Sequence, residues 1–513
     1  MHRILLPTLR LSLEMTDVLA RMEQNGLKIN LDTLEQIREE YQREMDELEI
    51  RLDELARHAM GDTPVNLSSP DDRSVLLYSR RVKDKRTWSN IFNLGHEMRG
   101  NTMKPKMRTR MKRGEFKSAV KNMTEVVYKT RGSQCAGCVG FGRVRPVNKN
   151  GQPSKTLRVC KPCGGAGVIY MPTREVAGFK LLPRDPMDTA SAGFKTDRTT
   201  LENRRAELSG EALEFVTAYT RYSALRTYLN TFVEGMKNNV DDKNFIHPEF
   251  MQCITATGRL SSRNPNFQNM PRGNTFEIRK VVESRFQGGK IIEGDYSQLE
   301  FRVAGFLARD SQVYIDVGEG TDVHSYTASV IGCSRQEAKA HTFKPLYGGT
   351  TGTEDQQRYY RAFKDKYEGV TNWHDYLQRE AVEKRVITLP SGRQYAFPDA
   401  RWTQYGTATY RTNICNYPVQ GFATADLLPI ALVELDGFFA ENNLHSVICN
   451  TVHDSIVIDA HPSEIDICIK LMQEAMLCLP HETNRRYNVT YDMPVGIEIK
   501  MGDNWLDLQE VDL

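Results

Sequence analysis

The sequence has no run of apolar residues approaching the roughly 18 that a membrane-spanning helix requires, so nothing in it marks a bilayer segment. Its opening stretch, MHRILLPTLRLSLEMTDVLA, offers no clean apolar core and no small-residue cleavage site, and an acid arrives at Glu14. A secretory leader is therefore not expected. Cysteine is scarce, ten residues in 513, which excludes a disulfide-built scaffold. Acid is scarce in one place. Between Arg80 and Arg174 only four Asp/Glu stand against 23 Lys/Arg, a local charge of +19. The remainder holds 45 basic and 62 acidic residues, so the net charge of +2 conceals a division between a basic block and an acidic rest. Such a block points to a polyanionic partner, most often nucleic acid, with a solvated basic surface as the alternative. Apolar residues at 40% and charged residues at 26% make a core-forming chain, long enough for two to four domains.

Apolar positions from Thr16 to Ala59 recur mostly at steps of three and four, which predicts helix, interrupted at Gly26 and capped again by Asn30. Residues 63–70 read as a loop. From Arg80 the periodicity dissolves and returns near Leu201, so residues 80–190 read as an insertion between helical segments. Lys290–Gly294 is a strand candidate followed by a helical pattern from Leu299. Residues 325–388 read as mostly helical. Ser446–Val452 and Ser455–Ala460 are β-rich runs flanking His453-Asp454, a hairpin signature.

The insertion contains the one local repeat. Cys135-x-x-Cys138-x-Gly140-x-Gly142 and Cys160-x-x-Cys163-x-Gly165-x-Gly167 are two copies of C-x-x-C-x-G-x-G. Two thiolates in a tight knuckle grip one metal from one side, and two knuckles complete a tetrahedral zinc site. Glycines supply the positive φ that such knuckles need. A redox pair or disulfides is the alternative. The doubled pattern resembles the zinc repeats of DnaJ-type chaperones over some 35 residues, and implies nothing about chaperoning.

Asp295 ends the strand candidate and Asp454 sits at the hairpin turn. Carboxylates at the ends of buried strands are costly unless they bind a cation or a partner. Two of them converging could hold a pair of Mg²⁺ ions for in-line phosphoryl transfer, although loop-end Asp residues are also common caps. Arg335, Lys339, Phe343 and Tyr347 recur at steps of four, which places them near one helix face. Cations one turn apart suit a triphosphate, and rings one turn further suit a stacked base. A basic amphipathic surface helix is the alternative.

Read together, these segments resemble family A DNA polymerases, the group of bacterial polymerase I and its phage relatives. The resemblance rests on Thr255-Ala-Thr-Gly-Arg259-Leu-Ser-Ser262 with Asn264-Pro-Asn266-Phe-Gln268-Asn269, on Asp295-Tyr-Ser-Gln298-Leu-Glu300 (motif A), and on Arg335-x-x-x-Lys339-x-x-x-Phe343-x-x-x-Tyr347-Gly348 (motif B). Asn416-Tyr-Pro-Val-Gln420-Gly421 and Val452-His453-Asp454 (motif C) complete it, in the family's order. It spans roughly residues 10–79 and 190–513.

The resemblance implies an α+β right-hand fold with an antiparallel-sheet palm, helical fingers and thumb, and the zinc insertion. The implied division is 1–79 N-terminal helices and start of thumb, 80–190 insertion, 191–320 rest of thumb and palm, 321–425 fingers and 426–513 palm. It implies a DNA-directed DNA polymerase acting on primer–template DNA and dNTPs in a bacterium or a phage-infected cell, cytoplasmic and without membrane. A processivity factor or a separate proofreading exonuclease would be further partners, since no exonuclease segment is expected in this chain. Asp295, Asp454 and the Tyr296 carbonyl would hold two Mg²⁺, and Cys135, Cys138, Cys160 and Cys163 one structural Zn²⁺. Arg335 and Lys339 would hold the triphosphate, with Lys339 also assisting catalysis. Phe343 would stack on the incoming nucleotide, Tyr347 would flank the template base, and Glu300 would exclude a ribose 2′-hydroxyl. Gln298 and His324 would lie near the nucleotide. Arg259, Asn266, Gln268, Asn416, Gln420 and His453 would contact DNA.

Two departures from the family pattern stand out. Ser455 occupies the place of a usual Glu after Asp454, so a third carboxylate is either dispensable or supplied by Glu293 or Glu300. Pro345 lies inside motif B and is expected to kink that helix. Two rival readings are a single-subunit RNA polymerase, opposed by Glu300 and Gly258–Ser262, and a zinc nucleic-acid-binding protein with a dead polymerase site, opposed by the intact Asp295, Asp454, Arg335 and Lys339.

Overall fold

The computed structural model describes residues 6–99, 102–147, 151–271, 273 and 276–512. The chain divides into two compact units, Met1–Arg38 with Asn230–Leu513, and Glu39–Leu229.

The first unit is built on a five-stranded antiparallel sheet. Its order is Val447–Val452, Ser455–Ala460, Lys290–Tyr296, Ile497–Gly502 and Gln509–Glu510. The hairpin strands fall within one residue of the sequence reading, and they are buried almost throughout because both faces are covered. Helix Ile465–Leu477 lies behind the central strand so closely that a Cβ on Gly294 would stand 2.5 Å from the Met472 sulfur. Five helices between Leu299 and Lys366 precede helix Glu368–Glu383, in agreement with the helical reading of that region. Their apolar faces share one core with the sheet, including Tyr296, Phe306, Phe422, Ile456 and Met472.

The predicted N-terminal helix is two helices, Pro7–Asn25 and Leu31–Met60, separated by a strand, Leu27–Ile29. Gly26 ends the first with φ +61°. Asn30 caps the second, its Oδ1 accepting from Thr33 N–H at 2.9 Å. The strand is bounded by Phe245–Ile246 and Val282–Glu283, so its extended form comes from distant partners rather than from local periodicity.

In the second unit the basic stretch contributes large side chains to a core. Trp88, Phe92, Phe116 and Val120 are buried together with Leu55, Leu77, Phe194, Phe215 and Tyr219. Trp88 meets Phe92 edge-on at 4.5 Å and donates its indole N–H to the Ala190 carbonyl at 2.8 Å. A few large rings spaced irregularly replace the periodic aliphatics, which is why the pattern dissolves in sequence but not in space. The part that lacks such a core is narrower. Tyr128–Gln134 and Val168–Val176 pair as an antiparallel stem, with Gln134 opposite Val168, and residues 135–147 and 151–167 form a finger beyond it. The buried cluster of the finger is Cys135, Cys138 and Cys160, flanked by Cys163, Val144 and Ile169.

Helix Arg411–Gly421 passes against Tyr395, whose hydroxyl donates to the Thr257 carbonyl at 2.7 Å. A Cβ on Gly421 would lie 1.6 Å from that hydroxyl oxygen. Gly421→Ala is expected to lower stability by about 1–3 kcal/mol through overpacking. Tyr395→Phe in the same chain should recover part of that loss. Urea titrations of the single and double variants check both outcomes.

Candidate active site

Asp295 stands next to the end of the central strand, directly opposite Ser455 on one side and Glu498 on the other. The Tyr296 N–H donates to the Asp454 carbonyl at 3.2 Å. The two aspartates therefore lie on neighbouring backbones at one end of the sheet, both half-buried. The charge of Asp454 acts on Glu300 and Arg259, and that of Asp295 on Lys500.

The turn that carries Asp454 is clamped from beneath. Gln268, 8% exposed, donates its amide to the Thr451 carbonyl and accepts from the His453 N–H at 3.3 Å. Asn266 Oδ1 accepts from the Gln268 N–H at 3.0 Å and from Ser262 Oγ at 3.2 Å. Both side chains thus make contacts within the protein that hold the hairpin. His453 is exposed at the turn, with φ +59°. Arg259, Gln268 and His453 line one hollow of about 20 Å³ together with Thr424 and Thr451.

The residues weighed as a third carboxylate are both engaged. Ser455 Oγ donates to Glu293 Oε1 at 2.9 Å and Trp505 Nε1 donates to Oε2 at 3.1 Å. Arg279 lies 4.1 Å over the Trp505 ring and 3.7 Å from Glu293 Oε2. Glu300, in the first turn of helix Leu299–Ala308, is ion-paired with Arg259, which also donates through Nε to Thr424 Oγ1 at 3.1 Å. Burial first, and the charge of Asp454 second, push the Glu300 carboxyl upward, and Arg259 is its compensating cation.

Sequence reasoning missed the support of Arg259. Asp426 is fully buried, and Arg393 donates to its Oδ1 through Nε at 2.9 Å and Nη2 at 2.8 Å. Ser391 Oγ donates to Oδ2 at 2.6 Å. Arg393 and Tyr395 meet Gly258 and Thr257, and so brace the segment that leads to Arg259. The available signal was a lone acid inside the apolar run from Phe422 to Leu432.

Motif B is helix Arg335–Leu346, opened by a capping box of Ser334 and Glu337. Arg335 Nε lies 2.5 Å from Asp322 Oδ2. Burial raises the Asp322 carboxyl, but Arg335, Ser325 and the His324 N–H outweigh this and hold it at about 2. His324 Nδ1 lies 3.0 Å from Thr342 Oγ1, and its ring meets Phe343 edge-on at 5.3 Å. Burial holds the His324 imidazole below its ordinary pKa. Phe343 and Tyr347 have ring centroids 6.4 Å apart, and Lys339 is exposed. Arg335, Phe343, Tyr347 and His324 are therefore brought together. Pro345 falls in the last turn, one residue before the helix ends, and the Tyr347 N–H reaches the Phe343 carbonyl at 3.1 Å. Gln298 sits in a left-handed turn before Leu299. Asn416 and Gln420 are one turn apart on helix Arg411–Gly421, and Asn416 Oδ1 is buried without a hydrogen-bond partner.

A second candidate centre lies in the finger. The four sulfurs of Cys135, Cys138, Cys160 and Cys163 all lie within 4.8 Å of one another. Gly142 N–H donates to Cys138 Sγ at 3.2 Å and Gly167 N–H to Cys163 Sγ at 3.3 Å, the second glycine of each repeat serving the same purpose. Four soft donors with backbone N–H support fit a tetrahedral metal.

The family profile for DNA polymerase family A matches residues 178–507. DNA polymerase I of Lactococcus lactis subsp. cremoris (strain MG1363) is 30% identical over 316 residues, 57% of this chain and 34% of that protein. The DNA polymerase of Bacillus phage SP01 is 26% identical over 463 residues, 83% of this chain and 48% of that protein. The chain thus spans about a third of the bacterial relative's length and about half of the phage relative's. A solved structure, the POL domain of Pol1 from M. smegmatis in complex with DNA primer-template and dNTP, superposes with a TM-score of 0.64 at 21% identity, covering 96% of this chain and 70% of that one. The fold is the α+β right hand. Among the described residues, no helix is long and apolar enough to cross a membrane.

The end of motif B depends on a neutral histidine. His374 is buried, its Nε2 lies 2.9 Å from the Leu346 carbonyl, and burial lowers its pKa to about 4. The folded value lies below the unfolded one, so its stabilisation is complete above the ordinary histidine range and is lost as pH falls toward 4. His374→Gln should be less stable than the parent at neutral pH. The gap should narrow by up to ~3 kcal/mol as the solution is acidified, measured by urea unfolding across that range.

Proposed function

The chain belongs to DNA polymerase family A, and from that premise we propose that it extends a DNA primer along a template, joining the primer 3′-hydroxyl to the α-phosphate of a dNTP with loss of pyrophosphate, in bacterial or phage DNA replication. The observation that carries this reading is the juxtaposition of Asp295 and Asp454 by the Tyr296 N–H on the Asp454 carbonyl. Two hard oxygen donors on adjacent backbones fit Mg²⁺, and Asp295, Asp454 and the Tyr296 carbonyl would hold it. When bound, Mg²⁺ supplies charge neutralisation at the attacking and leaving oxygens.

The other roles fall to the chain's own side chains. Lys339 and Arg335 bind the triphosphate and neutralise the charge that develops on the leaving pyrophosphate. Arg335 is held meanwhile by Asp322, which the triphosphate must displace or share. Phe343 stacks on the nucleotide, and His324 fixes the ring from its edge. Tyr347 flanks the template base. Glu300, immobilised by Arg259, forms the wall against a 2′-hydroxyl. Arg259, Gln420, Asn416 and His453 face the primer–template, where minor-groove acceptors are common to all correct pairs. Asn266 and Gln268 act through the hairpin they clamp.

The four cysteines would hold zinc, which would take the place of an apolar core in the finger. One zinc per chain is expected by metal analysis. Cys138→Ser should release it and raise hydrogen exchange in residues 135–167, while the aromatic core around Trp88 stays protected.

Primer extension tests the main reading. Asp295→Asn or Asp454→Asn should lower nucleotide addition by several orders of magnitude with DNA binding nearly intact. Near-normal extension by either variant would remove the proposal.

Sugar selection gives a further expectation. Glu300→Ala should admit ribonucleotides, whereas Glu300→Gln, which keeps the bulk, should largely exclude them. Phe343→Tyr should raise acceptance of dideoxynucleotides by placing a hydroxyl near C3′. Incorporation ratios from single-turnover assays read both.

A further inference from the structure

The finger carries features that zinc binding does not require. Phe141, at the tip of the first knuckle, is 84% exposed. Its neighbours in the chain are Gly140 and Gly142, so no adjacent side chain covers either face of the ring. Val139, Leu157 and Val159 are 63%, 51% and 55% exposed. Exposed apolar groups gathered on so small a module mark a contact surface.

The strand register shows which way this surface looks. Arg143–Val144 pairs with Arg158–Val159, with Arg143 opposite Val159 and Val144 opposite Arg158. Val144 packs toward the cysteines, so Arg143 and Val159 share the side facing away from them. Arg145, Lys155, Arg158 and Lys161 are also exposed. Between Val126 and Arg174 the sequence contains nine Lys/Arg and no Asp or Glu. Such a segment repels other cationic surfaces and attracts polyanions.

We propose that the outer face of the cysteine finger binds single-stranded nucleic acid, with Phe141 stacking on a base and Arg143, Arg145 and Lys161 meeting phosphates. The charge selects a polyanion, and the open ring selects one with exposed π-faces. A duplex offers phosphates but keeps its bases stacked on each other. An acidic peptide would satisfy the cations and leave the ring without a flat partner. This site is built from residues of the second unit alone, and it does not rest on the polymerase reading.

The test is fluorescence anisotropy of a labelled oligothymidylate with the full chain, in the presence of saturating unlabelled primer–template to occupy the polymerase site. Phe141→Ala should weaken binding by about 5- to 150-fold, the range for losing one base–aromatic stack. Phe141→Trp should restore it. Arg143→Ala with Arg145→Ala should lower the salt slope by about 0.7 per arginine. Heparin, a polyanion without bases, should bind the parent and Phe141→Ala alike. Excision of residues 135–167, with Gln134 joined to Val168 by an Asn-Gly turn, should abolish the oligothymidylate signal and spare single-nucleotide addition. Retained zinc in the point variants shows that the finger is intact. The proposal is overturned if Phe141→Ala binds within twofold of the parent, if heparin and oligothymidylate lose affinity together, or if the excised chain still binds the oligothymidylate.

Discussion

The pairing of Lys290–Tyr296 with Ser455–Ala460 is the constraint on which the rest of the first unit depends. One register places Asp295 opposite Ser455 and lets the Tyr296 N–H close on the Asp454 carbonyl. A slip of one residue would turn Asp295 to the opposite face, toward the helix that packs on Gly294. The close approach of Met472 to Gly294 opposes such a slip, because no side chain fits at that position. Gln268 fixes the turn from below and Glu293 ties Ser455 to Trp505, so the turn end of the hairpin is held from two sides.

Around this sheet the buried acids are matched one to one with cations. Glu300 faces Arg259, Asp426 faces Arg393, and Glu293 faces Arg279. Breaking such a pair from one side leaves an uncompensated charge, so each pair constrains both residues. The pairs also link functions. Arg259 is shared between Glu300 and Thr424, and Asp426 lies two residues beyond Thr424, so the groups proposed to check the sugar and the base pair rest on one support.

The second unit solves a different problem. A stretch with a local charge of +19 cannot bury many of its residues, and it uses a few large rings where others use many aliphatics. Where even these run out, in residues 135–167, the buried cluster is the cysteines themselves. That arrangement frees almost every other described side chain of the finger for contact with solvent or a partner, which is why an exposed ring and an acid-free stretch occur together there.

What the sequence by itself determined is what short-range spacing can encode. The cysteine knuckles, the steps of four from Arg335 to Tyr347, the hairpin around Asp454 and the cap at Asn30 all involve residues a few positions apart, and each was legible without coordinates. Motif order added the proposed site residues through a family resemblance. The tertiary structure alone decided the strand at Leu27–Ile29, the burial of Trp88 and Phe116, the engagement of Glu293 by Ser455 and Trp505, the support of Arg259 by Arg393 and Asp426, and the use of Gln268 as a clamp. These contacts join residues from a few tens to more than two hundred positions apart. Local periodicity carries no information about which distant groups will meet, because that choice is made by the packing of the whole core.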